Sequence, residues 1–363
     1  LKVYINIGPH PQFQELIKYP PKNVTYFYKP VKENHLNLSL RKYRARISRL
    51  QGILPIPRLL YVNRKVDLVH STRGFLVLDR IPWVVDLEVA SSFTGLNWNG
   101  LKNPLTKKII EKFLSSKYCK KILPQCYAAK QTMFDFLNCK KFEDKIEVVY
   151  PAYHVTHFKR KKRDKITISF IGLDFIGKGG LDLLKAFLLL EKKYDIELKM
   201  KTIIPLEYQK LIKNKSNIII LKENLPRMEF YKFIFFDSDI YVQPTRADTF
   251  GIAILEAMST GLPIITVDVF AQPELVKDGY NGFLIHSDAS WYNALLGRKY
   301  CTIFQEHERV YHEIAEKLKI LIEDPALRKK MGRNGKKLVE KGKFSIKERN
   351  KKLKSIYEES LKV

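Results

Sequence analysis

Short apolar runs recur along this chain and alternate with longer stretches of helical period, the pattern of parallel α/β units. Lys2-Val3-Tyr4-Ile5-Asn6-Ile7 predicts a first strand, which runs into the turn-rich Gly8-Pro9-His10-Pro11. Further strands are predicted at 24–28, 66–70, 75–78, 81–88, 121–124 and 145–151, with helices over 105–118 and 128–137. The pattern breaks at Lys159-Arg160-Lys161-Lys162-Arg163-Asp164-Lys165, which has no apolar residue to bury and reads as a solvated hinge. It then resumes with strands at 166–171, 196–200, 218–220, 239–242 and 264–267, and an apolar run at 282–285. Helical patterns cover 181–191, 227–235, the stretch from 252, then 307–323, 325–340 and 345–361.

Composition supports two α/β bodies. At 363 residues the chain exceeds what one core usually serves, and 45% hydrophobic residues with 12% aromatics suffice for buried cores. The expected division is 1–157, then 158–344, then a terminal helix over 345–363. The formal net charge of +27 attracts nucleic acid, anionic membrane or phosphorylated substrates without choosing among them. No nucleic-acid-binding motif accompanies it, so nucleic acid is not an expected partner. The basic, partly amphipathic stretch 41–50 is a candidate contact with an anionic membrane surface. No apolar run reaches spanning length, and LKVYINIGPH lacks a signal-peptide pattern. Cys119, Cys126, Cys139 and Cys301 show no zinc-ligand spacing, which suits a reducing cytoplasm. His154 and His157 could share a helical face, but no acid or cysteine cluster joins them, so no metal is expected.

Candidate chemistry concentrates between 243 and 265, QPTRADTFGIAILEAMSTGLPII. A strand precedes it, and Gly261 and Pro263 stop the helix before the next strand. Asp248 lies in the loop and Glu256 about one turn inside the helix. Between them Phe250, Gly251 and Ile252 place backbone N–H groups at the positive end of the helix dipole, a grip suited to phosphate. A second phosphate-binding arrangement is the loop Gly172-Leu173-Asp174-Phe175-Ile176-Gly177-Lys178-Gly179-Gly180 between a strand and a helix. It nearly spells a P-loop, but Gly179 stands where the magnesium-binding hydroxyl belongs. In the first half, Asp86 and Glu88 fall at a strand's C-terminal end, where open α/β sheets place ligands, and period two puts both on one face. Gly8 occupies the matching position after the first strand.

The run Asp248-Thr249-Phe250-Gly251, Glu256-Ala257-Met258 and Gly261-Leu262-Pro263 resembles the signature of the family 4 glycosyltransferases, retaining enzymes of the GT-B fold. That signature is an acid, seven residues and a glutamate; the first acid is usually Glu, so Asp248 is one methylene shorter. The resemblance is strong over 145–290 and loose over 1–145. It implies two Rossmann-like domains facing a central cleft, and transfer of a hexose from a nucleotide sugar to a glycan or lipid-linked acceptor without a divalent metal. In that reading Lys178 pairs with the donor diphosphate, aided by the Gly251 and Ile252 amides. Glu256 accepts from ribose, Asp248 holds the sugar, Gly8 approaches the phosphates, and Asp86 and Glu88 face the acceptor. The family usually carries an arginine where this chain has Leu173; Arg246 is a candidate substitute. Two other readings stand beside this one: a non-catalytic nucleotide-sugar-binding relative and a GT-B epimerase.

Overall fold

The computed structural model describes residues 1–8, 11–28, 56–155, 164–222, 224–289, 292 and 307–362. The basic stretch 41–50, His157, Cys301 and positions 159–163 of the charge run lie outside them. The chain divides into two compact units, Leu1–Ala152 with Ile346–Val363, and Tyr153–Ser345. Among the described residues no helix is long and apolar enough to cross a membrane.

Unit 1 is built on strands β1 (Lys2–Ile5), β2 (Thr25–Phe27), β4 (Leu68–Ser71), β6 (Trp83–Leu87) and β7 (Cys119–Pro124). They form a parallel sheet in the order β2-β1-β4-β6-β7. Two short strands, β3 (Leu59–Leu60) and β5 (Leu76–Val77), pair apart from it. Four helices belong to its described N-terminal portion: α1 (Pro11–Lys18), α2 (Trp98–Lys102), α3 (Pro104–Ser115) and α4 (Tyr127–Phe136). Asn103 caps α3, its side chain accepting from the N–H groups of Leu105 and Thr106, and Pro104 occupies the first turn. The expected strand at 145–151 does not form a ladder. Glu147 N and Val149 N donate to Ile122 O and Pro124 O, but only the single bridge Ile122–Ile146 results, and Pro124 has no N–H to return.

Unit 2 holds a parallel sheet of β8 (Ile166–Asp174), β9 (Ile196–Ile203), β10 (Ile218–Ile220), β11 (Ile240–Gln243), β12 (Ile264–Val267) and β13 (Gly282–Ile285). Their order is β10-β9-β8-β11-β12-β13. In chain order this is 3-2-1-4-5-6, the doubly wound arrangement whose switch point, between β8 and β11, is where ligands bind. The strands read as continuous apolar runs because both faces are covered. Ile168, Phe170, Leu198, Met200, Ile240 and Val242 are all fully buried. The covering helices are α5 (Gly180–Leu190), α6 (Arg227–Tyr231), α7 (Ile252–Ser259), α8 (Gln272–Leu275), α9 (Glu308–Glu323) and α10 (Pro325–Glu340). The helix expected over 227–235 is α-helical only to Tyr231 and continues as a π turn, Lys232–Phe236.

The last helix, α11 (Ile346–Leu361), lies in unit 1. Leu353, Ile356 and Tyr357 join the cluster of Val3, Ile5, Leu68, Val84 and Leu123. The Tyr357 hydroxyl meets His70 Nδ1 at 2.5 Å and Tyr26 Oη at 2.9 Å. Burial pushes the Tyr26 phenol up to about 12 and raises that of Tyr357 as well, so the two tyrosines remain neutral hydrogen-bonding groups at physiological pH. Removing that hydroxyl leaves two buried polar groups short of a partner. Tyr357→Phe is expected to lower stability by about 1–3 kcal/mol, read as a fall in the denaturant midpoint at unchanged slope.

Candidate functional site

In unit 2 the switch point brings together the two loops singled out in the sequence, the one after β8 and the one after β11. Asp174 shapes the first: its Oδ1 accepts Gly177 N at 3.0 Å, and its carbonyl accepts Lys178 N at 2.9 Å. Gly179 sits at φ +76°, and a Cβ there would fall 2.0 Å from the Pro244 carbonyl oxygen, so only glycine lets the loops approach this closely. Gly177 O in turn accepts the amides of Arg246 and Ala247, at 2.9 and 3.0 Å.

Lys178 and Asp248 close the junction. The ammonium of Lys178 lies 2.8 Å from Asp248 Oδ2 and 2.9 Å from Ala247 O. Asp248 also accepts from Gln243 Nε2 at 3.2 Å, from Thr249 N at 2.8 Å and from Phe250 N at 3.4 Å. Gly251, at φ +97°, turns the backbone into α7, so Ile252 opens the helix with amides that lack intrahelical partners. Phe250 itself points into the core, edge-on to Phe344. Only its backbone can serve a ligand.

Glu256, in α7, is 5% exposed and is held by a group that the sequence did not reveal. Arg227 Nη2 donates to its Oε1 at 2.5 Å and to the hydroxyls of Tyr153 and Tyr231 at 2.6 and 3.2 Å. The two tyrosine rings stack at 10° between planes, and the guanidinium lies 4.7 Å above the Tyr231 ring. Burial pushes the Glu256 carboxyl above its ordinary range, while Arg227 and the tyrosine hydroxyls pull it back.

Arg246, the candidate replacement for the cation absent at Leu173, does not serve that purpose. Its side chain is 2% exposed and grips Asp182 of α5 through Nε at 3.0 Å and Nη2 at 2.5 Å. Leu173 is exposed. The pair ties α5 to the loop after β11, and its signal in the sequence was a lone acid in the apolar helix GLDLLKAFLLL.

In unit 1, Asp86 and Glu88 flank the buried Leu87 on one strand face, as period two requires. Both meet Arg73: its amide donates to Asp86 Oδ1 at 2.8 Å, and its Nε lies 3.5 Å from Glu88. Asp86 Oδ2 is 3.4 Å from His70 Nε2. A cavity of about 50 Å³ opens beside them, also lined by Gln12, Gln125 and Arg349. Gln12 Nε2 and His70 Nε2 are buried there without a hydrogen-bond partner among the described residues. At Gly8 an added Cβ would make only ordinary contacts with Arg73 and Phe13, so nothing at that position demands glycine. His154 stacks on Tyr153, and no group of three potential metal ligands converges among the described residues.

Residues 155–295 match the protein family described as Glycosyl transferases group 1. That match falls within unit 2. It takes in both loops of the switch point, Arg227 and the helix bearing Glu256. The chain is 27% identical over 207 residues to the capsular polysaccharide biosynthesis glycosyltransferase CapM of Staphylococcus aureus, covering 55% of this chain and 47% of that one. The matched region thus spans about half the length of that relative. An uncharacterized glycosyltransferase of Methanocaldococcus jannaschii is 24% identical over 337 residues, covering 88% of this chain and 83% of its own. Among solved structures, HepE of Anabaena in complex with UDP superposes with a TM-score of 0.62 at 13% identity, covering 98% of each chain. The fold is therefore GT-B.

The buried pair beneath the group 1 site yields a test. Asp182→Asn leaves the Arg246 charge uncompensated and is expected to cost about 3–5 kcal/mol, measured by chemical denaturation. The double change Asp182→Leu with Arg246→Met removes both charges and is expected to recover most of that loss.

Proposed function

We propose that this chain is a retaining family 4 glycosyltransferase that moves a hexose from a nucleotide sugar to a glycan or lipid-linked acceptor. The observation that carries this reading is the junction at the switch point of unit 2, where Lys178, Asp248 and the start of α7 converge. HepE has been solved with UDP and with UDP-glucose, which supports a uridine nucleotide sugar as the first donor to try. The name of CapM supports a polysaccharide acceptor.

The roles follow from the chemistry. Lys178 has three N–H donors; Ala247 O and Asp248 take two, leaving one for the leaving diphosphate. The Gly251 and Ile252 amides stabilise the charge that grows on that group. Asp248, fixed by Gln243 and Lys178, orients the sugar hydroxyls. Glu256, held by Arg227, accepts from the ribose. On the acceptor side, hydroxyls entering the unit 1 cavity would meet Asp86, its neighbour His70 and the unpaired Gln12 nitrogen. Glu88 belongs to the same acceptor reading, and Gly8 to the approach of the donor phosphates. No divalent metal takes part in this scheme. Cys119 and Cys139 are buried free thiols, which supports action in the reducing cytoplasm, with the basic stretch 41–50 as a contact to its membrane.

One observation favours a second reading, a non-catalytic sugar-nucleotide binder: Leu173 removes a phosphate cation and Arg246 does not replace it. Thermal shift against UDP, GDP, ADP and their sugar conjugates tests the donor site. A ligand at a hundred times its Kd adds about 2.7 kcal/mol, and the shift should vanish in Glu256→Ala. For turnover, Glu256→Ala is expected to lose roughly ten- to a hundredfold in kcat/KM. A shift without nucleotide release from any sugar conjugate would favour the non-catalytic reading, and no shift with any nucleotide would sink both.

A further inference from the structure

We propose that Tyr127 and Tyr150, at one strand end of unit 1, form a platform on which the terminal pyranose ring of the acceptor stacks. The inference rests on the reading of the unit 1 cavity as the acceptor side. It narrows that reading, because the group presented there is a carbohydrate ring and not a lipid chain or a phosphate.

Local structure brings both side chains to the end of β7. That strand stops at Pro124, and after Gln125 and Cys126 the helix α4 opens with Tyr127. Cys126 ties down the first turn, its Sγ accepting from Ala129 N at 3.3 Å. Val149 N donates to Pro124 O at 3.0 Å, which holds the next residue, Tyr150, beside the same strand end. The C-terminal ends of parallel strands are where α/β sheets bind ligands. The two ring centroids lie 6.4 Å apart with their planes at 63°, an edge-to-face pair. Tyr150 lines the cavity, and Tyr127 is 63% exposed, so its ring stands open to a ligand beside the cavity.

A single exposed tyrosine is ordinary on a protein surface. This one adjoins a cavity in which Gln12 Nε2 is buried without a hydrogen-bond partner among the described residues. A buried donor of that kind calls for an oxygen from a ligand. Size then selects the rest of the molecule. About 50 Å³ takes hydroxyl-sized groups but neither a hexose ring nor an acyl chain. The ring must therefore lie outside, against the tyrosines, and send a hydroxyl inward. Asp86 in the lining accepts from a hydroxyl and repels a phosphate. A pyranose meets all these demands, with C–H bonds on one face for an aromatic ring and hydroxyls around its rim for Gln12 and Asp86.

The test is binding of the full chain to a printed array of neutral oligosaccharides of glucose, galactose, mannose and N-acetylglucosamine. The unmodified chain is expected to be retained on at least one of them. On that glycan Tyr127→Ala should weaken binding about five- to tenfold, and Tyr127→Phe, which keeps the ring, should restore most of it. Tyr61→Ala removes a tyrosine that is 66% exposed and does not line the cavity, and should change little. Each variant is first checked for an unchanged Tm. Retention of no oligosaccharide by the unmodified chain would overturn the proposal, as would equal losses from Tyr127→Ala and Tyr61→Ala. Loss with Asp86→Asn but not with Tyr127→Ala would overturn the platform while leaving the acceptor reading in place. The nucleotide thermal shift of the unmodified chain decides the donor reading separately.

Discussion

Burying a carboxylate and a guanidinium takes two charges out of water at a cost of several kcal/mol each, recovered only if the pairing geometry is good. In unit 2 that condition is met between Asp182 and Arg246, both 2% exposed or less, through a fork of short hydrogen bonds. The pair fixes the start of α5 against the residues following β11. With those two segments held, Gly177 O can accept two amides from across the switch point, and Lys178 can reach Asp248. The arginine is therefore scaffolding for the site and not a member of it. Its guanidinium is buried against Asp182, and its effect on a ligand passes through the backbone it anchors.

Much of this was legible in the sequence, and for a physical reason. Strands covered on both faces must be apolar throughout, so β8, β11 and β12 announce themselves as runs. The glycines at 179 and 251 mark places where backbone must turn or approach closely, and both proved to hold positive φ. What stayed hidden was partnership at a distance. Asp182 and Arg246 are 64 positions apart, and Tyr153 and Arg227 are 74 apart; neither separation has a period to read. The strand expected at 145–151 failed for a local cause, because a parallel ladder needs donors on both sides and its neighbour ends in proline.

The two candidate acids of unit 1 make a different point. Asp86 and Glu88 share one face, yet both already serve the loop that begins at Arg73. A carboxylate that accepts a backbone amide through one oxygen still has lone pairs on the other, so a structural duty does not remove it from chemistry. His70 lies beside that second oxygen and is itself held from behind by Tyr357.

Tyr357 ties this arrangement to the order in which the chain is made. Unit 1 needs residues 346–361 to finish its core, since Leu353, Ile356 and Tyr357 pack on strands that begin at Lys2. On the ribosome, the first sheet must therefore wait, with apolar positions uncovered, while the whole of unit 2 is synthesised and free to fold. At roughly 5–20 residues per second that interval lasts on the order of ten seconds or more. Unit 1 is thus begun before unit 2 and completed only after it.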